Sequence, residues 1–314
     1  MQMNNIEGLE DIDVKALQEE LLVLLEEKAD HIRYRKIDTL FPETGPYRRE
    51  LYPKHIAFLN ASAQFSQIAF IAANRSGKTL TACTAMTYHL TGDYPDWYKG
   101  RRFLNPISAW AAGISNQSTK EIIQDTLLGD MNDIGTGTIP RDKIVKVTKK
   151  PGVADAVETI FVRHKSGGLS KLTFKSYEQG WESFQGTKKQ VILLDEEPKD
   201  IKITTECLTR LMDDTNPGLI MYTFTPLLGR SDLVMSFLPD GVFPRGGVSH
   251  QNPEKFVVNV SWEDVPHLSK EQKAEILKSY APHERDARSK GIPSLGAGAV
   301  YPYPEDSLIV EPFK

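Results

Sequence analysis

The sequence predicts an α/β protein, with a mainly parallel central sheet flanked by helices and a small C-terminal lid subdomain, and two stretches predict it. The first runs from Gln67 to Thr79 (QIAFIAANRSGKT): an apolar run breaks into small residues and ends in Gly77-Lys78-Thr79. A buried strand delivers an anion-binding turn to the start of a helix in this way. The second runs from Val191 to Glu197 (VILLDEE). Four consecutive apolar residues suit a strand buried on both faces of a parallel sheet. Three carboxylates at the tip of such a strand call for something cationic at its C-terminal edge.

Each residue of the first stretch has a chemical reason. Against the pattern G-x-x-x-x-G-K-[ST], Ala72 stands where the first Gly belongs, while Gly77, Lys78 and Thr79 match. Ala73, Asn74, Arg75 and Ser76 form the turn that wraps the phosphates, and Gly77 lets backbone N–H groups close on an anion without a Cβ in the way. Lys78 brings a mobile ammonium to the β- and γ-phosphate oxygens of ATP, and the Thr79 hydroxyl is placed to ligate Mg²⁺. The unexpected residue is Arg75, a second cation for charge developing during transfer. In the second stretch Asp195 holds the Mg²⁺ and its water shell, and Glu196 orients or deprotonates the attacking water, with Glu197 less suited as the base. The competing account of each is bland: a chance G-K-T, and a strand running into an acidic loop. Their coexistence in one chain favours a nucleotide site.

Composition sets the outer limits. The 314 residues are 40% hydrophobic and 25% charged with net charge −4, so no overall basic balance announces a polyanionic partner. Cys83 and Cys207 lie far apart without ligand-like spacing, which argues against zinc or a disulfide framework and fits a reducing, cytosolic setting. No apolar run reaches membrane-spanning length, and no signal-peptide pattern opens the chain.

Along the chain, Val14, Leu17, Leu21, Leu24 and Leu25 recur at helical spacing, predicting an amphipathic docking helix from Asp13 to His31 with Asp13 as N-cap. Residues 41–53 read as irregular chain before a short helix, Lys54 to Ala61; Tyr52, Pro53 and His55 are candidates to cradle the adenine. After the loop, Leu80, Cys83, Met86, Thr87 and Leu90 line one helical face, ending at Gly92. The aromatics of TGDYPDWYKGRRF read as a surface cluster or a partner site. Ser108 to Ile114 predicts a second buried strand and Asn116 to Leu128 the helix after it; short strands with antiparallel pairing follow around 144–147, 159–162 and 169–174. Residues 177–187 read as a loop beside the site or an ordinary turn. A strand Leu219 to Phe224 ends in TFTP, whose Thr225 could sense the γ-phosphate, and 227–251 reads as loop. Val257 to Val260 suggests an edge strand, Ser269 with Gln272 a capping box, and Pro282 to Lys290 a short helix stopped by Gly291.

These motifs together resemble the ATPase part of viral terminase large subunits, the DNA-packaging motors of tailed bacteriophages. The resemblance rests on ANRSGKT with Arg75, TGDYPDWYKGRRF, VILLDEE, TFTP and HERDARSKGIPSLGAGAVYP, and spans Phe41 to Tyr303. It implies a RecA-like (ASCE) P-loop core with a lid, divided as 1–60 adenine side, 61–228 core, 229–295 lid and 296–314 linker. It also implies double-stranded DNA, a portal protein and a small terminase subunit as partners, a ring of usually five subunits, and a host-cytoplasmic setting. Position by position, Lys78 and Thr79 bind phosphate and Mg²⁺, Arg75 is the loop arginine, Asp195 the metal ligand, Glu196 the base and Thr225 part of the coupling motif. The adenine-motif Gln of many relatives is not evident, with Lys54-His55 near that place. The family normally continues into a nuclease after GAGAVYP, and the sequence stops at Lys314, so no DNA cleavage is expected of it. Arg101, Arg102, Arg141 and Arg230 are candidates for an arginine acting on a neighbouring subunit. Two other readings compete: a helicase-like ATPase, and a nucleotide-dependent assembly module with little turnover.

Overall fold

The computed structural model describes residues 14–212, 218–243 and 255–293. The proposed N-cap Asp13, the GAGAVYP junction and the 296–314 linker lie outside them.

Eight strands form one sheet in the order β3-β4-β5-β2-β6-β7-β1-β8. The nucleotide motifs predicted its centre. β1 (Gln67–Ala72), β2 (Ser108–Gly113), β6 (Val191–Asp195) and β7 (Leu219–Phe224) are buried along almost their whole length, as strands covered on both faces must be. Parallel pairing joins β1 to β7 and to β8 (Lys255–Val260), and β6 to β7 and β2. Because β1 and β6 flank β7, the loop after β1 and the carboxylates after β6 emerge at the same edge, about 10 Å apart at two strand spacings. Asp195 pairs with Thr223, and Thr223 with Phe70, so the strand ends are level. The segment 229–295 supplies β8 to this sheet. At the far side, β3 (Ile144–Lys149), β4 (Val157–Arg163) and β5 (Leu169–Ser176) pair antiparallel, and β5 runs parallel to β2.

One sheet face packs under α2 (Pro53–Ala61) and α3 (Lys78–Thr91), with Phe58 stacked on Phe70 at 5.1 Å, while α6 (Ile201–Leu211) and α7 (Asp232–Phe237) cover part of the other. Each large side chain sealed in these layers contributes about 1.5–3 kcal/mol of transfer free energy. Residues 116–128 are not one regular helix: α4 (Asn116–Ser118) passes through a π turn (Thr119–Gln124) into α5 (Asp125–Leu128). The turn aims the Gln124 amide at the backbone of Val157, donating to its carbonyl at 2.7 Å and accepting from its N–H at 3.0 Å. The stretch read as loop contains α7, capped by Ser231, whose hydroxyl accepts from the Val234 N–H. Ser269 and Gln272 form the predicted capping box of α8 (Lys270–Ser279), and Gly291 closes α9 (Arg285–Lys290) at φ 67°.

Two expectations are corrected. α1 (Val14–Tyr34) does not bury its leucine stripe: Leu21 is 56% and Leu25 53% exposed, and the helix is tied down at its C-terminal end, where the Tyr34 hydroxyl donates to Asp133 at 3.2 Å. The aromatics of residues 91–103 are not chiefly a surface cluster. Tyr98 and Phe103 are buried beside Tyr88 and His89, and the Tyr98 hydroxyl lies 3.1 Å from that of Ser62. An alternating code of rings and polar tips looks exposed in sequence, yet the Tyr94 and Tyr98 hydroxyls here find internal partners.

His89 is fully enclosed in that cluster, and burial drives its pKa down to about 3, with Arg101 adding to the effect. The unfolded chain therefore binds a proton there below pH 6.5 that the folded chain refuses, so stability falls as pH drops. His89→Phe is expected to lose about 2 kcal/mol less stability than wild type between pH 7 and pH 5, read by urea unfolding at both values.

Candidate active site

The loop after β1 closes through two left-handed residues, Arg75 (φ 58°) and Gly77 (φ 85°). At Gly77 a Cβ would meet His55 Nε2 at 3.4 Å, and the positive φ alone disfavours any other residue. His55 is buried beneath the loop, with Nε2 2.7 Å from the Ser76 carbonyl. Burial pushes its pKa down to about 4, so the ring is neutral and Nε2 must carry the proton that bonds the carbonyl. His267 does the same from the C-terminal segment, donating from Nε2 to the Arg75 carbonyl at 2.8 Å while Nδ1 faces the Tyr52 hydroxyl at 3.4 Å. A cavity of about 640 Å³ opens against the loop, lined by Tyr47, Tyr52, His55, Arg75, Leu80 and His267 among others. Arg75 is exposed at its rim.

The loop and the acidic strand tip meet. The Thr79 hydroxyl donates to Asp195 Oδ1 at 2.8 Å across 116 residues of chain, and Thr223 donates to the same oxygen at 2.5 Å. The Lys78 ammonium lies 3.4 Å from Glu196 Oε1, and both groups are largely enclosed. Burial, and after it the adjacent Glu196 charge, raise the Asp195 carboxyl to about 6 against the bonds from Thr223 and Thr79 and the nearby Lys78. This is a carboxylate in want of a cation. Hydroxyl and carboxylate oxygens are hard donors, and a magnesium site asks few protein ligands because water and phosphate complete it.

Glu196 itself takes φ 59°, a conformation a non-glycine residue holds only when its surroundings insist. Its N–H donates to the Thr223 carbonyl at 2.7 Å, and its carbonyl lies 2.9 Å from the Tyr177 hydroxyl, which is also 3.0 Å from the Asp195 carbonyl. The loop that begins at Tyr177 therefore belongs to the site. The composition of residues 177–187 allowed a loop beside the site or an ordinary turn, and nothing in the sequence singled out this tyrosine within it. Glu197 turns away, bonded by the Ser231 hydroxyl at the start of α7, and burial lifts its carboxyl to about 7.

Thr225 and Asn74 connect this tip to the rest. The Thr225 hydroxyl lies 2.8 Å from the Ala72 carbonyl and 2.9 Å from Asn74 Oδ1. Asn74 is in turn held by the C-terminal segment: its N–H donates to the Arg288 carbonyl at 2.8 Å and its carbonyl accepts from Trp262 Nε1 at 2.8 Å. Ala73 donates to the Val260 carbonyl at 2.8 Å. Of the four arginines considered for a neighbouring site, Arg101, Arg102 and Arg141 are engaged away from this edge, with the Gly218 carbonyl, the Tyr98 carbonyl and Asp133. Arg230 lines a cavity of about 270 Å³ with Glu197.

The T4likevirus-type terminase large subunit family, N-terminal part, matches residues 69–306, which include both motifs. The chain belongs to the terminase large subunit family. The large terminase subunit of Salmonella phage P22 is 33% identical over 320 residues, covering 95% of this chain and 59% of that protein. This chain thus spans about three fifths of the length of that relative. The corresponding subunit of Enterobacteria phage LP7 is 42% identical over 94 residues, 29% of this chain and 17% of its own. Among solved structures, the large terminase of a thermophilic bacteriophage superposes with a TM-score of 0.56 at 13% identity, covering 78% of this chain and 53% of that one. The Thermus phage P74-26 large terminase ATPase domain gives 0.51 at 15%, covering 78% and 96%. The first of these two proteins has also been solved with ADP and with ATP-γ-S. At these identities the terminase structures speak to the fold, which is the α/β layout with a mostly parallel sheet described above.

Proposed function

We propose that this chain is the ATPase motor part of a terminase large subunit, hydrolysing ATP to drive double-stranded viral DNA into a preformed capsid. The observation that carries the reading is the convergence of Lys78 and Thr79 with Glu196 and Asp195 at one sheet edge. Thr79 and Asp195 would hold Mg²⁺, which when bound neutralises charge on the β- and γ-phosphate oxygens. Triphosphate oxygens compete with Glu196 for the Lys78 ammonium, and once Lys78 moves to them Glu196 is free to take the proton of an attacking water. Arg75, at the cavity rim, reaches toward the charge that develops on the transferred group. Tyr52 and His267 offer stacked rings, 6.2 Å apart, beside the loop for the base.

Coupling runs through Thr225 and Asn74 to residues 262–288, which act as the lid: a change at the γ-phosphate that shifts the loop must shift these contacts too. In the capsid-bound state the chain works in a ring, usually of five subunits, on the portal protein, with a small terminase subunit delivering the DNA from the host cytoplasm. ATP binding and phosphate release are the measurements, each with and without linear duplex. The expected result is Mg²⁺-dependent turnover that Lys78→Ala removes by loss of nucleotide affinity, and no strand separation. A chain that binds no ATP would sink the proposal, and unwinding of duplex would replace it with a helicase.

A further inference from the structure

We propose that the open face of the sheet across β3, β4 and β5 is a docking surface for the phosphodiester backbone of duplex DNA. The identity of the polyanion rests on the motor reading; the surface itself rests on what the strands present.

Residues paired directly across strands share a face. The register places Lys146 beside Phe161 and Phe161 beside Lys171, with Arg163 opposite Leu169 one step further along. In the next rows Thr148 pairs with Thr159, Thr159 with Thr173, and Thr173 with Trp110, while Lys175 pairs with Ala112. Side-chain contacts agree with the register. The Thr159 and Thr173 hydroxyls are 3.2 Å apart, and the Lys146 ammonium sits 6.0 Å from the Phe161 ring. Both the Lys175 and the Lys189 ammonium lie over Trp110, at 4.8 and 4.9 Å. The other side of β4 and β5, with Ile160, Val162, Leu172 and Phe174, is the buried core. On this side Lys146, Arg163 and Lys171 are exposed, and Phe161, Thr173 and Lys175 are half-buried.

The charge of this face is predominantly positive. No acidic residue occupies any of the register positions named above. Lys175 and Lys189 bond only neutral oxygens, the Ser183 carbonyl at 2.6 Å and the Thr187 hydroxyl at 2.7 Å. Elsewhere lysines take carboxylates, as Lys143 does with Asp93 at 2.6 Å and Lys54 with Asp264 at 2.8 Å. Glu158 acts on both Lys150 and Lys175, and Glu178 on Lys150, from outside the register positions named above. Four cations, Lys146, Arg163, Lys171 and the half-buried Lys175, around threonine hydroxyls and the Phe161 ring, on a protein whose net charge is −4, form a local site for a polyanion that the whole-chain balance conceals. Phosphates also relieve the mutual repulsion that, after burial, pulls Lys189 down to about 8 through Lys171 and Lys175. Contacts of this kind are indifferent to sequence, as a translocating surface requires.

The probe is a short labelled duplex of arbitrary sequence, titrated with the whole chain by fluorescence anisotropy over a range of salt. The variant Lys146→Glu, Arg163→Glu, Lys171→Glu is expected to weaken binding at least about tenfold and to flatten the log K against log salt slope by about 2–3, near 0.9 per lost phosphate contact. Gln at the same three positions should give a smaller loss, which keeps the test open if the Glu variant fails to fold. A matched reversal at exposed Lys28, Lys36 and Lys99 should leave affinity within about twofold of wild type. Basal ATP hydrolysis should stay unchanged in every variant. Equal losses in the two triple variants, or wild-type affinity in the face variant, would overturn the assignment. So would a wild-type chain that hydrolyses ATP yet binds no duplex at low salt, an outcome that leaves the nucleotide reading standing.

Discussion

Glu196→Gln is expected to lower ATP turnover by about 100- to 10,000-fold while leaving ATP affinity equal to wild type or tighter. The change replaces a proton acceptor with an amide of the same shape, so the left-handed backbone at this residue and its bonds to Thr223 and Tyr177 are retained. What disappears is the carboxylate that faces Lys78 at 3.4 Å. With no anion to hold it, the Lys78 ammonium has only phosphate oxygens to seek, which is why affinity should not fall. Phosphate release under saturating ATP reads the first quantity and equilibrium binding of a fluorescent ATP analogue the second. Turnover within about threefold of wild type would assign the base elsewhere. Glu197→Gln, by contrast, should leave turnover nearly intact, because that side chain points to Ser231 rather than to the nucleotide edge. If the wild-type chain also turns over slowly, a clear ratio between wild type and Glu196→Gln still separates a slow motor from a module that only binds.

The centre of this molecule was legible because its chemistry is local. A buried strand that ends in G-K-T and another that ends in D-E-E each declare a role within a dozen residues, and parallel pairing through β7 then leaves few ways to set them apart. The capping box at Ser269 was equally local. What escaped notice depends on partners distant in sequence. Tyr177 looks like any loop tyrosine until β6 places two carbonyl oxygens at its hydroxyl, and Trp262 and His267 gain meaning only where they touch the carbonyls of Asn74 and Arg75. His55 read as a candidate for the adenine; it lines the cavity, and its bond to Ser76 adds a role the sequence did not show, a support beneath the loop. The leucines of α1 show the reverse failure, since a helical stripe reports that something can cover it but not that the same chain does.

Gly291→Val is expected to cost about 3 kcal/mol of stability or more and to weaken nucleotide binding, although residue 291 lies far along the chain from the loop. Gly291 closes α9 at φ 67°, and a Cβ there would come within 2.7 Å of Ala72 Cα, the last residue of β1. The same Cβ would meet Asn259 Nδ2 at 2.7 Å, the amide that bonds the carbonyls of Ile71, Lys290 and Gly291. Backbone cannot yield there without moving the strand that carries the phosphate loop, and a β-branched residue is strained at positive φ before any clash begins. Gly45→Ala isolates the second effect, because φ is 92° there and an added Cβ meets nothing within 4 Å; it should cost about 1 kcal/mol. Urea unfolding of both variants, with ATP affinity measured alongside, separates strain from contact. Equal losses in the two would mean that α9 is free to move away from β1, and the C-terminal segment could not then transmit loop movement as a lid must.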